Sequence, residues 1–213
     1  MTEQARGGPG ARSPFRRVVL TGGPGAGKTA VLELARRSLC EHVAVLPEAA
    51  SIVFGGGFPR RPSVPGRSAA QRSIAHVQLE LERWVEEEDA RVTVALCDRG
   101  VLDGLAYWPG PPESFLAELS TTLEHELARY VAVIHLRTPP AGAGYDTRNP
   151  LRIETPEEAA ALDARIEAVW GAHPRRFIVD NAPDFLTKAQ RALALLHAEL
   201  PASCRAHLGA SGP

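Results

Sequence analysis

Eight residues constrain this chain more than any others. Gly22-Gly23-Pro24-Gly25-Ala26-Gly27-Lys28-Thr29 follows the spacing Gly-x4-Gly-Lys-Thr, with the apolar run "RRVVLT" before it and the amphipathic stretch "AVLELARRSL" after it. A strand that turns through glycines directly into a helix makes a cradle for phosphate. Backbone N–H groups converge on the anion, and the helix adds its unsatisfied donors and the positive end of its dipole. Composition strengthens this reading. Of 24 Lys plus Arg residues only Lys28 and Lys188 are lysines, so a chain that otherwise uses arginine places a compact charge where a guanidinium would not fit. The loop is therefore expected to hold a nucleoside triphosphate, taken as ATP, with Lys28 bridging the β- and γ-phosphates and the Thr29 hydroxyl on Mg2+.

The rest of the chain alternates in the same way. "VAVLP" (43–47), "VTVALCD" (92–98), "YVAVIHL" (130–136) and "RFIVD" (176–180) are four more strand candidates, apolar throughout as suits strands buried on both faces. Helices are predicted after the glycine loop and over about 68–90, 113–129, 156–171 and 184–200. In the longest, Ile74, Val77, Leu81, Trp84 and Val85 recur at helical spacing, opposite a solvent face ending in "EEED". Strict β/α alternation specifies an α/β fold: three layers, α/β/α, around a five-stranded parallel sheet with ligands at the carboxyl ends of its strands. At 213 residues the chain suits one domain, read as 15–200, with a flexible leader over 1–14 and a flexible tail over 201–213.

Asp98 closes the third strand at the edge where the glycine loop lies. A carboxylate there holds Mg2+ through water or polarises an acceptor hydroxyl; the plainer alternative is a cap for the following turn. Cys97, one residue earlier, faces the other side of the strand as a small core residue. Glu48 ends the second strand and so also stands at the functional edge, unless it merely starts a helix over "AASIVF". The segment 55–67, "GGGFPRRPSVPGR", carries Arg60, Arg61 and Arg67 without a nearby acid. It reads equally as a flap over an anionic acceptor or as a solvated insertion. Tyr107 and Trp108 either stack on an aromatic acceptor or cap the core.

The octet alone serves a kinase, a switch or a motor. No Asn-Lys-x-Asp guanine-reading motif follows, since Lys188 sits in "LTKAQ", and the chain ends before the helical lid domain a ring-forming motor needs. "VVLTGGPGAGKT", "LPEAA", "CDRG" with "DGLAYW", and "YDTRNPLRIET" resemble the domain shared by the ribosylnicotinamide-kinase portion of NadR-type proteins and AAA-like ATP-binding proteins, over about 16–200. The resemblance implies a P-loop kinase plan with ATP, Mg2+ and a phosphoryl acceptor. It also implies that Glu48 faces the acceptor as base or hydroxyl reader, that Arg99 clamps acceptor or transferred phosphate, and that a short lid over about 138–154 brings Arg148 and Arg152 onto the triphosphate. Asn181, near the end of the last strand, is the positional candidate for adenine recognition.

The formal charge of −1 supplies no global field toward nucleic acid or an anionic membrane. Three scattered cysteines argue against a disulfide framework and suit a reducing, cytoplasmic, soluble protein. The seven histidines show no finger-like spacing, so no structural zinc site is read. The expected function is ATP- and Mg2+-dependent phosphoryl transfer to a small hydroxyl or phosphate acceptor, nucleoside- or nucleotide-like. The alternative is a nucleotide-dependent regulatory protein with slow hydrolysis.

Overall fold

The five apolar runs form one parallel sheet. In the computed structural model, which describes residues 14–140, 155–202 and 204–205, the strands are β1 (Arg16–Thr21), β2 (Val43–Leu46), β3 (Val94–Asp98), β4 (Ala132–Leu136) and β5 (Arg176–Val179). They lie in the order β2-β3-β1-β4-β5. Register brings the carboxyl ends together, since Leu20 of β1 stands level with Asp98 of β3 and Ile134 of β4. Side chains of successive residues point to opposite faces, so each strand serves two cores. Val18, Leu20, Leu96 and Ile134 pack on one side, against Val31, Leu32, Ala35, Ala189, Ala192 and Leu196. Val19, Ala95, Cys97 and Val133 pack on the other, against Val85, Leu102, Ile166 and Trp170. The three-layer expectation is met.

The helices are α1 (Lys28–Arg36), α2 (Ala49–Gly55), α3 (Val64–Glu88), α4 (Pro112–Glu118), α5 (Leu123–Ala128), α6 (Pro156–Val169) and α7 (Phe185–Glu199), with 3-10 turns at Val101–Ala106 and Trp170–Ala172. Among the described residues no helix is long and apolar enough to cross a membrane. Four details decide or correct the sequence reading. Glu48 does start a helix, α2, although its side chain does not cap it. The helix expected over 113–129 is two, broken at Ser120, whose φ is +52°. Thr122 then restarts it by accepting a hydrogen bond from the His125 N–H at 3.1 Å, which is the alternative to helix that threonine hydroxyls offer the backbone.

The third difference is the face of α3. Val85 is buried and Leu81 packs against the core as read, but Trp84 is 57% exposed and Ala75, Gln78 and Glu82 join the buried stripe. Two polar residues lie inside because they are fully answered. Glu82 accepts from Gln78 Nε2 (2.8 Å), from Tyr130 Oη (2.9 Å) and from Arg129, and pairs with Arg17 at 3.3 Å. A buried carboxylate held this way is specific in its placement, and removing either side of it leaves uncompensated charge. The fourth is the tail, where residues 202 and 204–205 are helical and Cys204 is only 2% exposed. The leader up to residue 13 and the lid from 141 onward, with Arg148 and Arg152, lie outside the described residues.

Candidate phosphate and acceptor site

Loop geometry follows from glycine. Gly22 has φ +135°, and a Cβ there would stand 2.1 Å from the Leu136 carbonyl oxygen. Gly27 has φ +95° as the N-cap just before α1, and a Cβ would meet the Phe185 ring at 2.6 Å. The loop can therefore lie flat between β4 and the start of α7 only if both positions lack side chains. Lys28 is buried, and its Nζ donates to the Gly22 and Gly23 carbonyls at 2.9 and 3.1 Å. Burial, with a further push from Arg99, lowers its pKa to about 8 against the pull of Asp98 and Glu48. A phosphate that replaced those carbonyls would restore full charge to the amine.

Two residues that the sequence reading passed over hold this loop to the sheet. Asp163, on α6, accepts from the Gly23 N–H (2.6 Å) and the Thr138 N–H (2.9 Å), and lies 3.0 Å from His135 Nε2. Burial works to raise its pKa, yet these hydrogen bonds outweigh burial and hold the carboxyl below its ordinary value. Lys188, the second lysine, is 4% exposed. It donates to the Ala26 carbonyl at 3.0 Å, to the Arg137 carbonyl, and to Asn181 Oδ1 at 3.1 Å. Both lysines thus bind carbonyls of the same loop. Asn181 spends its amide on the Thr138 carbonyl at 3.0 Å, so the structure gives it a bracing contact and no place in the cavity lining.

The acceptor side is built on the neighbouring strand ends. Arg99 follows β3 with φ +76°, which few residues other than glycine adopt. From there its Nε donates to Glu48 Oε1 at 2.8 Å, its guanidinium reaches the Gly22 carbonyl at 3.2 Å, and it lies 3.5 Å from Asp103 Oδ2. Glu48 also accepts from Ser51 Oγ at 2.5 Å. Burial alone would raise the Glu48 pKa, but Arg99 and then Lys28 bring it down to about 2. A carboxylate this acidic is a poor proton acceptor and a good orienting one. Asp103, also unread in the sequence, accepts from the Thr21 hydroxyl (2.7 Å) and Trp170 Nε1 (2.6 Å). Its signal was weak, because its partners come from β1 and the 3-10 turn after α6.

A cavity of about 460 Å3 joins the two halves, lined by Lys28, Thr29, Glu48, Arg99 and Asp103 together with residues of α2 and α3. Arg60, Arg61 and Arg67 line it too, so the segment 55–67 faces the cavity; Arg60 sits 4.0 Å over the Phe54 ring. Tyr107 joins the lining, whereas Trp108 packs on Phe115 with ring centroids 5.2 Å apart. Asp98 stands just behind, 5% exposed, with Oδ1 buried and without a hydrogen-bond partner among the described residues. Burial, eased by Lys28 and reinforced by Glu48, raises its pKa to about 6. An orphaned buried carboxylate oxygen at the strand end that also feels the Lys28 charge is a donor that a hydrated Mg2+ fits, with the Thr29 hydroxyl of the phosphate loop as the second candidate.

Fold and loop together define a P-loop α/β protein of the kinase-like kind. Residues 17–188 match the family described as an AAA domain, and the chain belongs to that family. None of the curated proteins matches it by sequence. Among solved structures it is similar to a NadR protein in complex with NR, at 16% identity and TM-score 0.65 over 88% of this chain and 52% of that one. The chain therefore spans about half the length of that protein. It is also similar to thymidylate kinase from Candida albicans, at 11% identity and TM-score 0.59 over 87% and 92% of the two chains. A deoxyadenosine kinase from M. mycoides with bound dATP gives 14% identity and TM-score 0.59 over 85% and 99%. These likenesses establish a shared fold.

Proposed function

We propose that this protein is an ATP- and Mg2+-dependent kinase that passes the γ-phosphoryl group to a hydroxyl or phosphate of a small acceptor, in a reducing cytoplasmic setting. One observation carries the reading: the cavity of about 460 Å3 that begins at Lys28 and Thr29 continues past the Glu48–Arg99 pair between α2 and α3. A hydrolase or switch needs room for water at the γ-phosphate, whereas this volume lies in the range that small organic ligands fill. The fold shared with nucleoside and nucleotide kinases supports the same reading.

Lys28 leaves the Gly22 and Gly23 carbonyls for the β- and γ-phosphates, while backbone N–H groups of the loop hold the remaining oxygens. Mg2+, when bound at Thr29 and Asp98, supplies charge neutralisation on the phosphates. Glu48 accepts a hydrogen bond from the acceptor hydroxyl and fixes its line of approach. With a pKa of about 2 it orients the hydroxyl without carrying off its proton early, which suits a loose transition state with late proton loss. Arg99, fixed by Glu48 and Asp103, points its remaining donors at the group in transit.

Incubation with ATP and Mg2+ over a panel of nucleosides, nucleoside monophosphates, sugars and aminoglycoside-type polyols tests this. The expected outcome is ADP release that depends on one acceptor class and is abolished in Lys28→Ala. Steady ADP release independent of every acceptor would overturn the kinase reading in favour of a nucleotide-dependent regulator.

A further inference from the structure

At the amino ends of the strands, opposite the phosphate loop, the fold assembles a second cluster. Cys40 and His42 lie in the turn between α1 and β2, and Cys204 lies in the helical turn after α7. One donor atom from each, the two Sγ atoms and a His42 ring nitrogen, all lie within 4.8 Å of one another. A tetrahedral zinc ion with Zn–S of about 2.3 Å and Zn–N of about 2.0 Å would set such donors roughly 3.4–3.8 Å apart, so side-chain torsions alone bring these three into range. We propose that Cys40, His42 and Cys204 form a binding site for a thiophilic divalent cation, zinc by preference, that fastens the C-terminal helical turn to the sheet.

Three independent observations support the site. His42 Nδ1 is buried with no hydrogen-bond partner among the described residues, a cost that a cation bound to the ring, directly or through its other nitrogen and a relayed partner, gives reason to bear. The backbone on both sides is already fixed. The His42 carbonyl accepts from the Thr93 and Val94 N–H groups at 2.9 and 3.2 Å, Val43 N donates to the Cys40 carbonyl at 3.1 Å, and Cys204 N donates to the Pro201 carbonyl at 3.0 Å. Cys204 is buried in the apolar cluster that Cys40 packs against. Two thiolates and a neutral imidazole cancel the charge of a dication, so the complex adds no net charge to that apolar surrounding.

Binding displaces two thiol protons to solvent and leaves the cation's oxidation state unchanged, so no co-reactant is involved. The fourth position falls to water. Sequence spacing could not show this site, because its donors come from opposite ends of the chain and meet only where α7 runs back along α1. Since the cluster is remote from the cavity, its function is to hold the fold, and its test is independent of the kinase reading.

The untagged full chain, fully reduced and freed of metal by a chelator, is titrated with Co2+ as the probe and then with Zn2+. The expected result is one equivalent bound per chain, with thiolate-to-cobalt charge-transfer absorption that Zn2+ abolishes. Cys40→Ser, His42→Asn and Cys204→Ser each weaken binding by about 100-fold or more, whereas Cys97→Ala, a thiol inside the sheet, leaves it unchanged. Zn2+ raises the thermal midpoint of the parent chain. Absence of one-equivalent binding by the reduced parent chain overturns the proposal whatever the folding of the variants, and so does equal binding by the Cys40→Ser and Cys204→Ser variants.

Discussion

Arg99 carries a conformational cost for its position. An L-residue at φ +76° costs about 1–3 kcal/mol, and here Glu48, the Gly22 carbonyl and Asp103 together hold it. A lysine would keep the charge but lose the fork that meets these partners at once. Arg99→Lys is therefore expected to lower kcat by on the order of 10²- to 10³-fold while the thermal midpoint moves little; steady-state kinetics beside a melting curve separates the two. Asp163 has a stability signature instead. Its carboxyl sits below the ordinary value of 3.8 in the folded chain and at that value in the unfolded one. Its contribution is complete above about pH 4 and is lost as pH falls through the lower folded value. Asp163→Asn keeps one acceptor oxygen and turns the other into a donor, so one of the Gly23 and Thr138 N–H groups loses its partner, costing about 1–3 kcal/mol near pH 7. Because the lost contribution was the acid-sensitive one, the variant's urea midpoint falls less steeply below pH 4 than that of the parent chain.

At the scale of elements, local pattern located β1 to β5, α1, α6 and α7, since each is a run whose period matches its burial. On α3 it placed Val85 and Leu81 rightly and Trp84 wrongly. Apolar residues default to the inside in such a reading, which put Trp84 in the core and gave Glu82 no place there, whereas Arg17, Arg129, Tyr130 and Gln78 surround Glu82 at 0% exposure. None of those four except Gln78 is local to it, so no helical period could reveal the match. Glu82→Ala is expected to cost about 3–5 kcal/mol, because Arg17 and Arg129 lose the buried carboxylate they share and keep only Glu86 and Glu126, and Trp84→Ala less than about 0.5 kcal/mol. Chemical denaturation of both variants gives the ranking, and the reverse order would restore the sequence-based face. The break between α4 and α5 was legible in retrospect only from the Thr121-Thr122 pair, where hydroxyls compete for the backbone.

Across the whole molecule the phosphate half of the site was legible and the bracing half was not. The loop Gly22 to Thr29 is contiguous, so spacing encodes it, whereas Asp103, Asp163 and Lys188 act through partners on other elements. Charge follows the same division. The chain is nearly neutral, with 24 basic against 25 acidic residues, yet the cavity lining gathers Lys28, Arg60, Arg61, Arg67 and Arg99 against only Glu48 and Asp103. Both acids already face Arg99, so Arg61 and Arg67 bring positive charge to the mouth, a local field that a count over the sequence averages away. If the proposed acceptor carries an anionic group, its capture draws on that field, and its KM depends on salt. Raising ionic strength from about 0.01 to 0.1 M shortens the screening length from roughly 30 to 10 Å. KM for such an acceptor is then expected to rise with kcat unchanged, because the rim steers and holds the acceptor without touching the phosphoryl in transit. Arg61→Ala, in an exposed position on that rim, should raise KM by on the order of two- to fivefold at low salt and flatten the salt dependence. An acceptor whose KM ignores both salt and Arg61 would be neutral, with recognition resting on Phe54, Gln71 and Tyr107 of the same lining.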